Sequence, residues 1–174
     1  RDDVESRGLG DVYKRQLQHS EDRVLKLMNR RGTRKSYLEL IGRLREEVPG
    51  IAIRSTFICG FPTETEEESA ALAGFLRQAK LDNCGFFAYS REEGTPAYRL
   101  KGQITYAVKK RRVKNMYAVQ RGVSLERMNG YKGCVLRVLC DGICDDGSGF
   151  YGRAYFSAPD IDGKVFFNAP FAEQ

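Results

Sequence analysis

Within fourteen residues, from Ser55 to Glu68, the stretch STFICGFPTETEEE passes from a β-rich apolar run through Gly-Phe-Pro into a burst of carboxylates. Such a junction predicts a strand, a turn fixed by Pro62 and a helix whose first turn carries the acids that its dipole favours. Thr63 with Glu66 three positions on has the pattern of a capping box, which contributes about 1 kcal/mol. The neighbouring segments repeat the unit. The run IAIRSTFI predicts a strand, a helix follows from about Glu64 to Lys80, and CGFFAY predicts a second strand. Upstream, Ser20 precedes the helical segment EDRVLKLMNR, which Gly32 is expected to stop. RKSYLELIGRLREE places Tyr37, Leu40, Ile41 and Leu44 at i, i+3, i+4 and i+7, and Pro49-Gly50 ends it. Alternation of this kind predicts an α/β fold with a parallel sheet.

A long helix is expected from Thr105 to about Met128, with Val113, Met116, Tyr117, Gln120 and Ser124 along one side. After Gly130 the character changes. GCVLRVLC, FYGRAYF and KVFF are short, β-rich and separated by Asp-Gly turns, as in the opening strands of a small barrel. Residues 17–130 and 131–174 are thus expected to be separate units. The first sixteen residues, RDDVESRGLGDVYKRQ, show neither a helical nor a strand period, and RGLGDVYKRQ resembles translated adapter sequence; they are set aside as an arm outside the fold. Two strands cannot close a β/α barrel and three cannot close the smaller one, so further sequence is expected beyond both ends.

Charge is unevenly spread. Residues 101–132 hold nine basic residues and one acid, whereas 133–174 hold three basic residues and six acids. The run KKRR at 109–112 reads as a solvated face of the long helix, with nucleic-acid contact as the other reading. No run of eighteen apolar residues and no charged-then-apolar leader occurs, so the chain reads as cytosolic with no membrane partner. The five cysteines, Cys59, Cys84, Cys134, Cys140 and Cys144, are odd in number and mostly lie in apolar runs, which suits reduced thiols. Cys140 and Cys144 alone make a weak metal site.

Ligands of β/α sheets gather at the carboxyl ends of the strands, where Gly60 lies. A helix N-terminus attracts phosphate, but four glutamates repel it, and no lysine follows as in a phosphate loop. Glu64 suits an ammonium, a ribose hydroxyl or a sulfonium-bearing nucleoside. Gln18 and His19, Arg54 inside an apolar strand, and Tyr89 after the next strand are the other polar candidates for one rim.

LQHSEDRVLKLMNRRGT, RSTFICGFPTETEEE and FAYSREEGTPAY, in this order and at these distances, resemble successive barrel segments of the radical S-adenosylmethionine (SAM) methylthiotransferases. Beyond Gly130 the chain is similar to a TRAM domain. The resemblance implies the C-terminal part of a partial TIM-like β/α barrel, followed by a small, truncated all-β TRAM barrel. It implies a transferase that places a methylthio group on an unactivated C–H carbon, with SAM and two 4Fe-4S clusters as cofactors. The family's Gly-x-Ile-x-Gly-x-x-Glu strand pattern corresponds here to Thr56, Ile58, Gly60 and Glu64, with one extra residue before the acid. Thr63 stands where the family's turn usually has glycine. Gln18, His19, Arg54, Ile58, Gly60, Glu64 and Tyr89 are the cofactor-binding candidates that follow.

Two branches of the family differ in substrate. YGRAYFSAPDIDGKVFF resembles the branch acting on an aspartate of a small-subunit ribosomal protein, with Asp160 in place of a glutamate; this points to Tyr155, Asp160 and Asp162 for substrate binding. The acidic C-terminal unit suits a basic protein, and with it the ribosome as a partner, better than the tRNA adenosine of the other branch. A non-catalytic nucleic-acid-binding module is the alternative of another class. The family's cluster motif, Cys-x-x-x-Cys-x-x-Cys, does not occur in the chain, so the 174 residues are expected to be inactive alone. Anaerobic reconstitution is expected to give no iron–sulfur absorbance, and stoichiometric iron uptake overturns that expectation.

Overall fold

The computed structural model describes residues 4–6, 11–158 and 162–169. Its first sheet has four strands in the order β1-β2-β3-β4: β1 (Val4–Ser6), β2 (Asp11–Gln18), β3 (Ala52–Cys59) and β4 (Asn83–Ala88). β1 runs antiparallel to β2, and the other pairs are parallel, joined by helical crossovers. The expected boundary at Leu17 is therefore too late, because β2 begins at Asp11 inside the segment set aside. A lone parallel strand at Ala52 needs a ladder partner, and Val12 to Arg15 supply it opposite Ala52 to Ser55. Among the described residues neither sheet closes on itself.

Helix α1 (Asp22–Leu27) stops earlier than expected, and Gly32 does not stop it. Asn29 takes a left-handed φ of 55°, and the Arg30 N–H donates to the Leu25 carbonyl at 2.8 Å, a Schellman closure. Helix α2 (Arg34–Glu47) buries Tyr37 and Ile41. Helix α3 (Glu66–Ala79) begins two residues later than expected, capped by Thr65 and Glu68 rather than Thr63 and Glu66. Thr63 instead sits in the turn at φ 67°. That region costs a non-glycine residue about 1–2 kcal/mol. Three bonds offset the cost: the Thr63 N–H donates to the Gly102 carbonyl, and Arg23 donates to both the carbonyl and the hydroxyl of Thr63.

The core forms where α3 covers the outer face of β3. Leu72, Phe75, Leu76 and Ala79 recur at helical spacing, and Phe75 meets Phe57 edge-on at 6.2 Å while Phe86 stacks on Phe57 at 5.7 Å. Helix α4 (Tyr106–Asn129), preceded by a short 3-10 turn at Pro96–Arg99, packs its Met116, Gln120 and Val123 side inward. Gln120 and Ser124 donate to the carbonyls of Leu81 and Asp82, and Arg127 pairs with the buried Asp82 carboxylate, which also accepts the Ile53 N–H.

Past Gly130 a second sheet, β5 (Val138–Ile143), β6 (Phe150–Ala154) and β7 (Val165–Phe167), is antiparallel in the order β5-β6-β7. It docks against the beginning of β3. Phe156 and Ala154 cover Ala52, Tyr131 stacks on Phe156 at 4.8 Å, and the Tyr155 hydroxyl donates to the Gly50 carbonyl at 2.6 Å. The Arg54 guanidinium, 18% exposed, is forked by the Asp162 carboxylate, 9% exposed, which also accepts the Ala158 N–H. Breaking a pair so nearly desolvated strands one charge, so Asp162→Ala is expected to cost on the order of 3 kcal/mol. In a urea-unfolding cycle, Arg54→Met with Asp162→Ala should lose clearly less than the sum of the singles. Additivity within about 0.5 kcal/mol shows that the pair is not coupled.

Candidate functional site

Gly60, at φ 74°, is the first residue past β3 and turns the chain across the carboxyl end of the sheet. Four residues on, before the helix has begun, Glu64 folds back beneath the loop, 4% exposed. One carboxylate oxygen accepts the N–H groups of Gly60 at 2.7 Å and Phe61 at 3.1 Å; the other accepts Arg112 Nη1 at 3.0 Å. The same guanidinium donates to the Glu64 carbonyl and to Glu66. Burial pushes the Glu64 carboxyl up from its ordinary range, against Arg112 and the two amides, which pull it down. The loop is thus built around a carboxylate whose acceptor capacity is largely used within the chain.

His19, just past β2, is fully buried against this loop. Its Nδ1 accepts the Glu21 N–H at 3.0 Å, which places the ring proton on Nε2. Among the described residues Nε2 has no hydrogen-bond partner, and it lies 3.8 Å from a Glu64 oxygen. Burial, aided by Arg112 and Arg23 and opposed by Glu68, lowers the imidazole to a pKa of about 4. At neutral pH the His19 ring is therefore neutral, and its contact with Glu64 is not an ion pair. Tyr89 extends β4 at the same rim, with its N–H on the Cys59 carbonyl and its ring edge-on to Phe61 at 5.1 Å. Its hydroxyl is also buried without a partner among the described residues.

Helix α4 closes the rim from the side. Lys109 Nζ donates to the Tyr89 carbonyl at 2.9 Å, and a Cβ on Gly60 would lie 2.4 Å from Lys109 Cγ. The side of Gly60 where a side chain would project is therefore filled by α4. Lys109 and Arg112 are buried, which overturns the reading of KKRR as a solvated face. They fall on the same stripe as Met116, Gln120 and Val123, and that spacing was the signal for them.

The structure brings His19, Gly60, Glu64 and Tyr89 together. Gln18 ends β2 beside Phe57, half-buried at φ 71°, with its amide on Gln16. Ile58 is half-buried on the inner face of β3. Arg54 lies six residues before Gly60, about 20 Å along an extended strand, and is held with Tyr155 at the opposite end of the sheet. Asp162 is turned inward onto Arg54, and Asp160 lies outside the described residues.

Residues 133–173 match the family model for the TRAM domain. The ribosomal protein uS12 methylthiotransferase RimO of Thermodesulfovibrio yellowstonii is 48% identical over 86% of the chain, and that of Desulforudis audaxviator is 48% identical over 88%. The chain belongs to the RimO methylthiotransferase family. It spans about a third of the length of these curated relatives (35% and 34%). Among solved structures, the coproporphyrinogen III oxidase HemN of Escherichia coli, a radical SAM enzyme, superposes with a TM-score of 0.56 at 19% identity, covering 64% of this chain and 26% of its own. The α/β unit of this RimO-family chain thus has a fold related to that of radical SAM enzymes.

In this family member the rim carries a pH signature. Because the folded imidazole titrates near 4 and the unfolded one near 6.5, the unfolded chain binds the extra proton between these values. His19 thus contributes stability that is present above pH 6.5 and lost as pH falls toward 4, on the order of 3 kcal/mol in full. Urea unfolding of the wild type and of His19→Asn, compared from pH 7.5 to 4, should show the wild type losing this much more than the variant. Parallel profiles contradict the neutral buried imidazole.

Proposed function

We propose that this chain is part of an enzyme that adds a methylthio group to the β-carbon of an aspartate in the small-subunit ribosomal protein uS12. The observation that carries this reading is the 48% identity over 86% of the chain to a relative of that name. In this reading residues 17–130, with the start of β2, form the last part of a radical SAM β/α barrel, and 131–174 form an incomplete TRAM barrel. The whole enzyme then works with SAM and two 4Fe-4S clusters, which supply the cleavage and sulfur-transfer chemistry.

The residues present fit a nucleoside part of SAM better than a cluster. Among the described residues no three His, Cys, Asp or Glu side chains come together as a metal site, and the five cysteines are free. At the rim, by contrast, the His19 Nε2–H and the Tyr89 hydroxyl, without partners among the described residues, are preorganised polar groups at strand ends, and Ile58 is half-buried near the end of β3. A ribose or adenine edge supplies what they lack. Ile58, Gly60, His19 and Tyr89 then face the cofactor. Glu64 acts by holding the Gly60 and Phe61 amides, while Arg54 fixes the TRAM unit.

For the substrate, Asp162 and Tyr155 serve the inner contact, so recognition passes to the outer face. There an open cleft is lined by Asp145, Asp146, Phe150, Phe166 and Phe167. Its carboxylates suit a basic protein surface. Burial of half of KKRR removes one support for the tRNA branch. Fluorescence anisotropy at 150 mM salt is expected to show uS12 binding, weakened several-fold by Asp145→Asn with Asp146→Asn. A tRNA anticodon stem-loop that displaces uS12 better than a scrambled RNA of equal length overturns the choice of substrate.

A further inference from the structure

Helix α4 has a second face that the rim does not use. Of the nine basic residues between 101 and 132, Lys109 and Arg112 are buried at the rim, Arg111 pairs with Glu66, and Arg127 pairs with Asp82. Glu126, the one acid of the segment, is taken by Lys80. Lys101 and Lys132 lie outside the helix; on α4 itself Lys110, Lys114 and Arg121 remain, all exposed, and among the described residues none of these three meets a carboxylate. They recur at i, i+4 and i+11, which at 100° per residue places them within about 40° on one side of the helix, over a length of about 16 Å. Tyr106 and Tyr117 fall on the same stripe at 65% and 44% exposure, and Lys110 Nζ lies 5.1 Å from the centre of the Tyr106 ring.

We infer that this outer face of α4 is a docking surface for the phosphate backbone of RNA. Charge complementarity carries the argument. Three cations are left without intramolecular neutralisation, among the described residues, on a helix that spends its other cations on specific partners, and they line one side of it over a length that several phosphates of one strand can follow. The more exposed Tyr106 lies beside them, as in surfaces where bases stack next to backbone contacts, while Tyr117 packs its ring edge-on against Phe86 and keeps its outer edge in solvent. Leu125 and Met128 are exposed on the same side but lie beyond Arg121, so no large aliphatic side chain stands between the cations, which favours RNA over an anionic lipid surface. Recognition is of backbone and stacking, so it carries no sequence preference. The surface differs from both the rim and the acidic cleft of the second sheet. Through it, the chain could be held on a ribonucleoprotein particle while another face meets the protein substrate.

The test uses the 174-residue chain with a mixed-sequence, single-stranded 20-nucleotide RNA, and it needs neither SAM nor uS12. Its outcome is therefore separate from the proposed activity. Affinity is measured between 50 and 200 mM salt for the wild type and for K110Q/K114Q/R121Q. A matched control, K14Q/K26Q/R31Q, removes three exposed cations elsewhere. Loss of three phosphate contacts is expected to lower the slope of log K against log salt by about 2. The α4 triple variant should bind at least tenfold more weakly at 50 mM salt and unfold as the wild type does in urea, while the control keeps most of its affinity. Equal losses in the two variants, an unchanged slope, or tighter binding to phosphatidylserine vesicles than to the RNA overturns the proposal.

Discussion

The buried pairing of Glu64 with Arg112 organises the rest of the first unit. Two charges taken so far out of water are tolerated only when nearly every lone pair and proton is used. Here the carboxylate takes two backbone amides and the guanidinium, which in turn reaches Glu66 and the Glu64 carbonyl. The pair thereby fixes three things at once: the path of the chain after β3, the start of α3, and the position of α4 across the strand ends. Lys109 then has to pass over Gly60, and the backbone there has to be a glycine with positive φ. His19, next to the pair, stays neutral because a second cation beside Arg112 would have no solvent to spread its charge.

A second arginine does comparable work at the other end of the same strand. Arg54 breaks the apolar run of β3, and its cost is met by Asp162 across 108 residues of sequence. Tyr155, Phe156 and Tyr131 complete that contact with aromatic burial and two hydroxyl bonds. The two units are thus joined by one nearly desolvated ion pair within an apolar patch, a combination that fixes orientation more narrowly than apolar contact alone.

Element identity was legible wherever local chemistry and packing agreed. The strand–turn–helix at Ser55–Glu68, the α2 stripe and the length of α4 all follow from periodicity that tertiary contacts then reinforce. Where two local solutions competed, the sequence was ambiguous: Thr63 and Thr65 both offer a cap, and the burial of Glu64 selects the second. Asp11–Gln16 shows no period of its own and becomes a strand because β3 provides a ladder. At the site, His19, Gly60, Glu64 and Tyr89 could be placed at strand ends by motif and order. That Arg54 belongs to the opposite end could not, since its partner is distant in sequence. Lys109 and Arg112 were hidden by a different cause: charge was read as exposure, although their spacing matched the apolar stripe.

The placement of the TRAM unit at the start of β3, with the polar rim at its finish, sets a length scale. The two are separated by the strand itself, about 20 Å. Any molecule engaging both must bridge that distance, so a compact side chain on a flat protein surface does not suffice. A protruding arm of at least six extended residues does. The sheet therefore acts as a ruler, and selectivity can reside in how far a target's loop projects as much as in which residues it displays.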